Sequence, residues 1–222
     1  VSAPRAVLVD IGETLLLEEP MDRRAAAEAL VADPRFAPYL PDADALEAAH
    51  AAGAERRETW TVLGWLRGML PAELAEDAEI LVWDRGVKMT PKPGAREALA
   101  ALRAAKIPVG VVSNTLFSAR AWRHGLERHG LAVDFVVSSA DVGARKPDPR
   151  IFRAALDLLH VPAEDVWFVG DTLDKDVRGA AAVGMKPVWF GGPPAPPFSC
   201  AVARDWAQFL ELWKRATERG VS

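Results

Sequence analysis

Cysteine is nearly absent from this chain. Cys200 is the only one in 222 residues, so no internal disulfide can form, and a reducing, cytoplasmic setting is expected. No apolar run is long enough to span a bilayer, and the opening VSAPRAVLVD lacks the pattern of a signal peptide. Positive charge is not in excess either. A formal net charge of -4 argues against a surface built to neutralise nucleic-acid phosphates. Internal repeats are missing, and no low-complexity tract occurs beyond the short stretch GGPPAPP at 191–197. Neither a membrane nor a nucleic acid is therefore an expected partner, and oligomeric state is not readable. With 50% hydrophobic and 26% charged residues, the composition is that of a soluble globular protein, and the length suits either one large domain or a core with one sizeable insertion.

What the chain does have is organised around AVLVDIGET, residues 6–14. Its apolar run predicts a strand buried on both faces, as in a parallel sheet, and Asp10 then falls at the carboxyl end of that strand. A cap or loop role would explain one such acid. A second apolar run, Val166 to Val169, ends the same way in GDTLDKD, which carries Asp171, Asp174 and Asp176. Two buried strands that both end in acid predict a metal site, because hard divalent cations are held by oxygen ligands.

Between these runs the pattern changes twice. From Glu18 to Met89 apolar residues recur at helical spacing with no strand-like run, which predicts an all-helical insert. Asp22 and Asp42 stand where N-caps belong, and Pro71 with Glu73 opens a further helix. From Pro93 onward helix and strand alternate: GAREALAALRAAK, then Ile107 to Val112; FSARAWRHGLERHG, then Phe135 to Val137; a helix opened by Asp148 and Pro149, then the strand ending at Gly170; a helix through AAAVG, then Pro187 to Phe190; and a closing helix from about Arg204. The expected fold is α/β, a doubly wound parallel sheet formed by 1–17 and 90–222, with a helical domain at 18–89. Ligands of such sheets bind beyond the carboxyl ends of the strands. The residues expected there are Asp10, Ser113, Asn114, Lys146 and Asp171.

Four motifs in this order, DIGETL at 10–15, VVSN at 111–114, Lys146 in ARKPDP and GDTLDKD at 170–176, resemble the haloacid dehalogenase superfamily of aspartate-nucleophile hydrolases. The resemblance spans nearly the whole chain. It implies a Rossmann-like core, a cap made by the helical insert, and Mg²⁺ as cofactor. It further implies that Asp10 is the nucleophile forming an aspartyl-phosphate. Ser113 and the backbone of Asn114 would bind phosphate, with Lys146 balancing its charge. Asp10, Asp171 and the carbonyl of Gly12 would hold the metal, and Asp176 would orient its waters or Lys146.

This chain departs from the family at Gly12, where the family's phosphatases carry a second Asp that moves the leaving-group proton. Positioned acid–base catalysis is worth about a hundred- to ten-thousand-fold, so a phosphatase without it is expected to be slow. Glu13, Glu18 and Glu19 are the nearby carboxylates; Glu13 reads as a surface or hinge residue. Two rival chemistries of the family lose on residues. Its haloacid dehalogenases abandon the acidic motif that this chain keeps, and its phosphonatases need a cap lysine, whereas no lysine precedes Lys88. The expected activity is Mg²⁺-dependent hydrolysis of a small phosphorylated metabolite. The alternative is a phosphate-binding protein of the same fold with little turnover.

The other conspicuous residues have plain structural readings. Trp60, Trp65 and Trp83 are expected in the core, and Arg23, Arg24, Arg56, Arg57 and Arg67 on solvated helix faces. None of His50, His124, His129 and His160 is assigned a site, and Cys200 shows no sign of activation.

Overall fold

The protein was analysed as a computed structural model, which describes residues 2–56, 59–193 and 200–219. In chain order the elements are β1 (Ala6–Val9), β2 (Leu16–Glu18), α1 (Arg23–Ala32), α2 (Ala43–Ala54), α3 (Val62–Arg67), α4 (Ala72–Gly86), β3 (Met89–Pro91), α5 (Ala95–Ala104), β4 (Val109–Ser113), α6 (Ala119–Arg128), β5 (Phe135–Ser138), α7 (Ser139–Val142), α8 (Pro149–Leu159), β6 (Val166–Gly170), α9 (Gly179–Ala182), β7 (Lys186–Phe190), β8 (Ala201–Ala203) and α10 (Trp206–Arg219). Among the described residues no helix is long and apolar enough to cross a membrane.

Six strands form one parallel sheet in the order β5-β4-β1-β6-β7-β8. β1 is wholly buried between β4 and β6, which is why it carries no polar residue until it ends. Its alternate residues serve opposite layers. Val7 and Val9 pack with Trp167, Val169, Leu99 and Phe209 on one face. Ala6 and Leu8 pack with Phe168, Ile151 and Phe152 on the other. Each large side chain so buried contributes about 1.5–3 kcal/mol relative to exposure, and helices on both faces keep water from the strands.

The caps expected from sequence form. The side chain of Asp22 accepts from Ala25 N–H, that of Asp42 from Ala45 N–H and that of Asp148 from Arg150 N–H, each satisfying a first-turn donor that the helix leaves open. Four helices, α1 to α4, fall in chain order between β1 and the other strands of the sheet. Helix α4 joins them to the core: Trp83 packs edge-on to Trp122 and over Gly125 of α6, where an added Cβ would lie 2.0 Å from the indole. One turn earlier, buried Glu79 accepts from Ser118 N–H at 2.9 Å and from the Ser118 hydroxyl. Burial raises the Glu79 carboxyl above the usual range against the opposing pull of Ser118.

The structure adds two features to the sequence expectation. β2 and β3 pair antiparallel, Glu18 opposite Met89, so a short ribbon straddles both expected ends of the insert. β8 follows the proline-rich stretch and extends the sheet beside β7. Both are three-residue strands, too short to show an alternation of period two. The fourth strand starts at Val109 because Pro108 supplies no N–H and Ile107 donates back to Leu102. Residues 194–199, which include most of the proline-rich turn, and Arg57 lie outside the described residues.

Candidate active site

Strand order brings the acids together. Because β1 lies between β4 and β6 with Val9 opposite both Val111 and Val169, the residues that follow these strands emerge side by side. Asp10 N–H still donates to Val169 O at 2.9 Å, and only then does the chain turn away. Asp10 is buried, and Lys146 Nζ donates to its Oδ1 at 2.6 Å. The same ammonium lies 2.7 Å from Asp176 Oδ1.

Lys146 is held by its neighbours on both sides of its backbone. The Asn114 side chain donates from Nδ2 to Lys146 O at 2.9 Å and accepts Lys146 N–H at Oδ1 at 2.6 Å. This bracket was not legible in sequence, where Asn114 figures only through its backbone. Asp176 reaches Lys146 because Gly170 leaves room: an added Cβ there would sit 2.5 Å from the Asp176 side chain. Its other oxygen accepts Thr172 N–H at 3.0 Å.

Two carboxylates, Asp10 and Asp176, flank one ammonium, and a third, Asp171, lies close to both. Each of Asp10, Asp171 and Asp176 offers an oxygen within 4.8 Å of the others. Burial pushes the Asp10 carboxyl up to about 7; Lys146 opposes the shift and Asp176 adds to it. Burial, then the charge of Asp176, also raises Asp171. Although burial alone would depress the Lys146 ammonium, Asp10 and Asp176 hold it above its ordinary value. Hard oxygen ligands and excess negative charge fit a small divalent cation, which would offset the burial of Asp10 and Asp171. Asp174 does not join them. Exposed, it pairs with Arg178 at 2.6 Å.

A cavity of about 200 Å³ opens over this cluster, bounded also by Gly12, Glu13, Ser113 and Asn114. Thr172 and Lys175 complete it, two residues of GDTLDKD to which sequence reasoning assigned nothing. Glu13 adopts φ 53°, the left-handed region, and its N–H donates to Leu16 O across a tight turn. That conformation is costly for a residue with a Cβ. Its half-exposed carboxylate is 3.3 Å from Lys92, on the side of β3. Glu19 lines the adjoining cavity, and the Glu18 side chain lies outside the described residues.

That adjoining cavity, about 330 Å³, lies between the helical insert and the loop after β4. His50 borders it, buried edge-on to Trp60 and Trp65 at 5.1 and 5.4 Å between ring centres. The tryptophans thus pack in the core as expected, and Trp83 with them. Burial first, and Arg23 second, push the His50 imidazole down to about 4. The unfolded chain protonates near 6.5 and the folded one near 4, so His50 stabilises the fold above pH 6.5 and loses that contribution as pH falls to 4. Urea denaturation of His50→Gln should therefore show a flatter decline between pH 7 and 4.5, by roughly 2–3 kcal/mol; parallel curves would refute it. Burial raises the Cys200 thiol, consistent with an inert cysteine.

Comparison with known proteins shows the family of the chain. A family model described as haloacid dehalogenase-like hydrolase matches residues 4–184. A phosphoserine phosphatase of Thermus thermophilus is 35% identical over 208 residues, covering 83% of this chain and 80% of its own length. A glyceraldehyde 3-phosphate phosphatase of Pyrococcus abyssi is 37% identical over 102 residues, 44% of this chain and 41% of that one. Among solved structures, a HAD phosphatase from Thermococcus onnurineus superposes with TM-score 0.60 at 24% identity, covering 93% of this chain and 96% of that one. A 2-haloacid dehalogenase from Pseudomonas syringae gives 0.62 at 23%, covering 95% and 98%; at such identities the likeness concerns the fold. A family pattern matched along 4–184 and a phosphatase aligned over most of both chains lead to one conclusion: the chain belongs to the haloacid dehalogenase-like hydrolases.

Proposed function

We propose that this hydrolase is a Mg²⁺-dependent phosphatase of small phosphorylated metabolites, acting through an aspartyl-phosphate on Asp10. One observation carries the reading: a buried carboxylate at the end of the central strand sits against a bracketed lysine and two further acids. An Asp10 oxygen attacks phosphorus, the ester P–O bond breaks, and the alcohol leaves with the bonding pair. Water then cleaves the acyl phosphate, releasing inorganic phosphate and restoring Asp10. The Ser113 hydroxyl and the Asn114 N–H bind phosphoryl oxygens, and Lys146 neutralises their charge. Asp10, Asp171 and the Gly12 carbonyl hold Mg²⁺, with Asp176 setting the position of Lys146. Bound there, the cation supplies Lewis acidity and screens the phosphate from Asp10. The names of the phosphatase relatives support the substrate class.

The insert at 18–89 acts as a cap domain over a core of 1–17 and 90–222, with the β2–β3 ribbon as its joint. Gly12 brings no carboxylate to the leaving group, and Glu13 is directed toward Lys92. Turnover therefore depends on how easily the alcohol departs unprotonated. An aryl phosphate should be hydrolysed about a hundred- to ten-thousand-fold faster than an alkyl phosphate of similar size. Chelation should bring the aryl phosphate to the background rate, and Mg²⁺ should restore it. Equal rates with and without chelator would refute the metal dependence. The absence of an acid at Gly12 also favours a second reading, phosphate binding without turnover. Tight binding of inorganic phosphate with no aryl phosphatase activity would establish it.

A further inference from the structure

Among the described residues Glu79 is the one buried carboxylate outside the Asp10 cluster, at 1% exposed, and the chemistry above gives it no part. Its partners are neutral: the Ser118 N–H at 2.9 Å and the Ser118 hydroxyl. Both belong to the core, at the N-terminus of α6, where open N–H groups and the helix dipole favour a negative group. Burying a carboxylate still costs stability, and an apolar side chain would fill the same volume without that cost. Packing therefore does not account for an acid at this position.

Ser118 is the far end of a short loop that begins at Asn114, directly after Ser113 on β4. The near end of that loop carries the groups assigned to the phosphoryl oxygens. The core ties its middle: Thr115 N–H donates to Ser139 Oγ at 2.9 Å, the Ser138 hydroxyl to Phe117 O at 2.6 Å, and Trp122 Nε1 to Thr115 Oγ1 at 2.7 Å. The insert ties it twice. Val62 N–H donates to Leu116 O at 2.9 Å, and Glu79 takes both donors of Ser118. Ser118 and Glu79 are both buried, so a donor there that loses its acceptor stays unpaired unless the loop moves.

We propose that Glu79 is a positioning residue of the phosphate site: from the insert it fixes the end of the 114–118 loop, and through it the direction of the Asn114 N–H and the Ser113 hydroxyl. The inference rests on the phosphatase reading above and extends it to how the insert governs the site. With Glu79 in place the loop is set before phosphate arrives. Without it, Ser118 has no acceptor, and the loop shifts to regain one. A displacement of about 1 Å at groups that position a reacting phosphate is worth up to about a hundredfold in rate.

The test reads phosphate affinity apart from stability, as the inhibition constant of inorganic phosphate against an aryl phosphate, at saturating Mg²⁺ and a temperature where each variant is folded. Glu79→Leu fills the volume but accepts no hydrogen bond, and should raise that constant about tenfold or more, with KM rising alongside. Glu79→Gln keeps an acceptor for the Ser118 N–H and should fall between Glu79→Leu and wild type. Val82→Ala, a buried position on the same helix, supplies the control: it lowers the melting temperature by leaving a cavity but should keep the constant within about twofold of wild type. A constant in Glu79→Leu within about twofold of wild type, with only the melting temperature lowered, overturns the proposal. An equal rise in Val82→Ala overturns it too, because the effect would then be a general loosening of the insert. Should Glu79→Leu not fold, Glu79→Gln decides: a rise beyond about twofold supports the role, and a smaller one refutes it. If no aryl phosphate is turned over, the phosphatase reading fails, and calorimetric titration with inorganic phosphate compares the same variants. An affinity weakened in Glu79→Leu but not in Val82→Ala then supports the positioning role; unchanged affinity in Glu79→Leu, or no binding by wild type, refutes it.

Discussion

Asp10→Asn should abolish hydrolysis of an activated aryl phosphate at saturating Mg²⁺, a loss of about 10⁴-fold or more. The amide has the shape of the carboxylate but no nucleophilic oxygen, and a good leaving group cannot compensate, since the missing step is attack on phosphorus. The fold should survive. Burial already pushes the Asp10 carboxyl up to about 7, so the ionised form is costly where it stands, and a neutral side chain removes that cost. The lost contact with Lys146 is partly replaced, because the ammonium keeps Asp176 at 2.7 Å. Steady-state rates with thermal denaturation alongside provide the check. A variant that folds and retains activity within about tenfold of wild type would rule out catalysis through Asp10.

Lys146→Met is the opposite case, in which folding itself should suffer. Lys146 is 4% exposed and is the ammonium between Asp10 and Asp176, both buried. Removing it leaves two carboxylates facing each other with little water, and breaking a buried pair from one side costs about 3–5 kcal/mol. Urea denaturation in chelator should show that loss, and activity should fall with it because phosphate charge would go unbalanced. Adding Asp176→Asn should recover part of the stability but not the activity, since residues sharing one network do not contribute additively. A destabilisation below about 1 kcal/mol would show that Lys146 does not hold these acids together.

How much of this was legible beforehand depends on the range of the interaction. The buried strands could be seen in AVLV and VWFV because a strand covered on both faces must be apolar throughout. Helix starts could be seen at Asp22, Asp42 and Asp148 because a cap bonds within three residues of itself. The acids ending two strands stood out for the same reason: a charge directly after a buried run is conspicuous in one dimension. The three-residue strands β2, β3 and β8 did not stand out, since three residues carry too little pattern.

By itself, then, the order of residues determined the elements, the alternation that makes a parallel sheet, and the set of groups delivered to its carboxyl edge. Only the tertiary structure decided which of those groups touch. The placement of β1 between β4 and β6 put Asp10 beside Asp171 and Lys146, while Asp174, two residues from Asp176, turned outward to Arg178. Only folding, too, closed Asn114 around the backbone of Lys146 and set Glu79 against Ser118. The physical reason is that propensity, periodicity and capping act over a few residues. Strand order, register and the packing of helix on helix select partners far apart in the chain, and no local pattern records that choice.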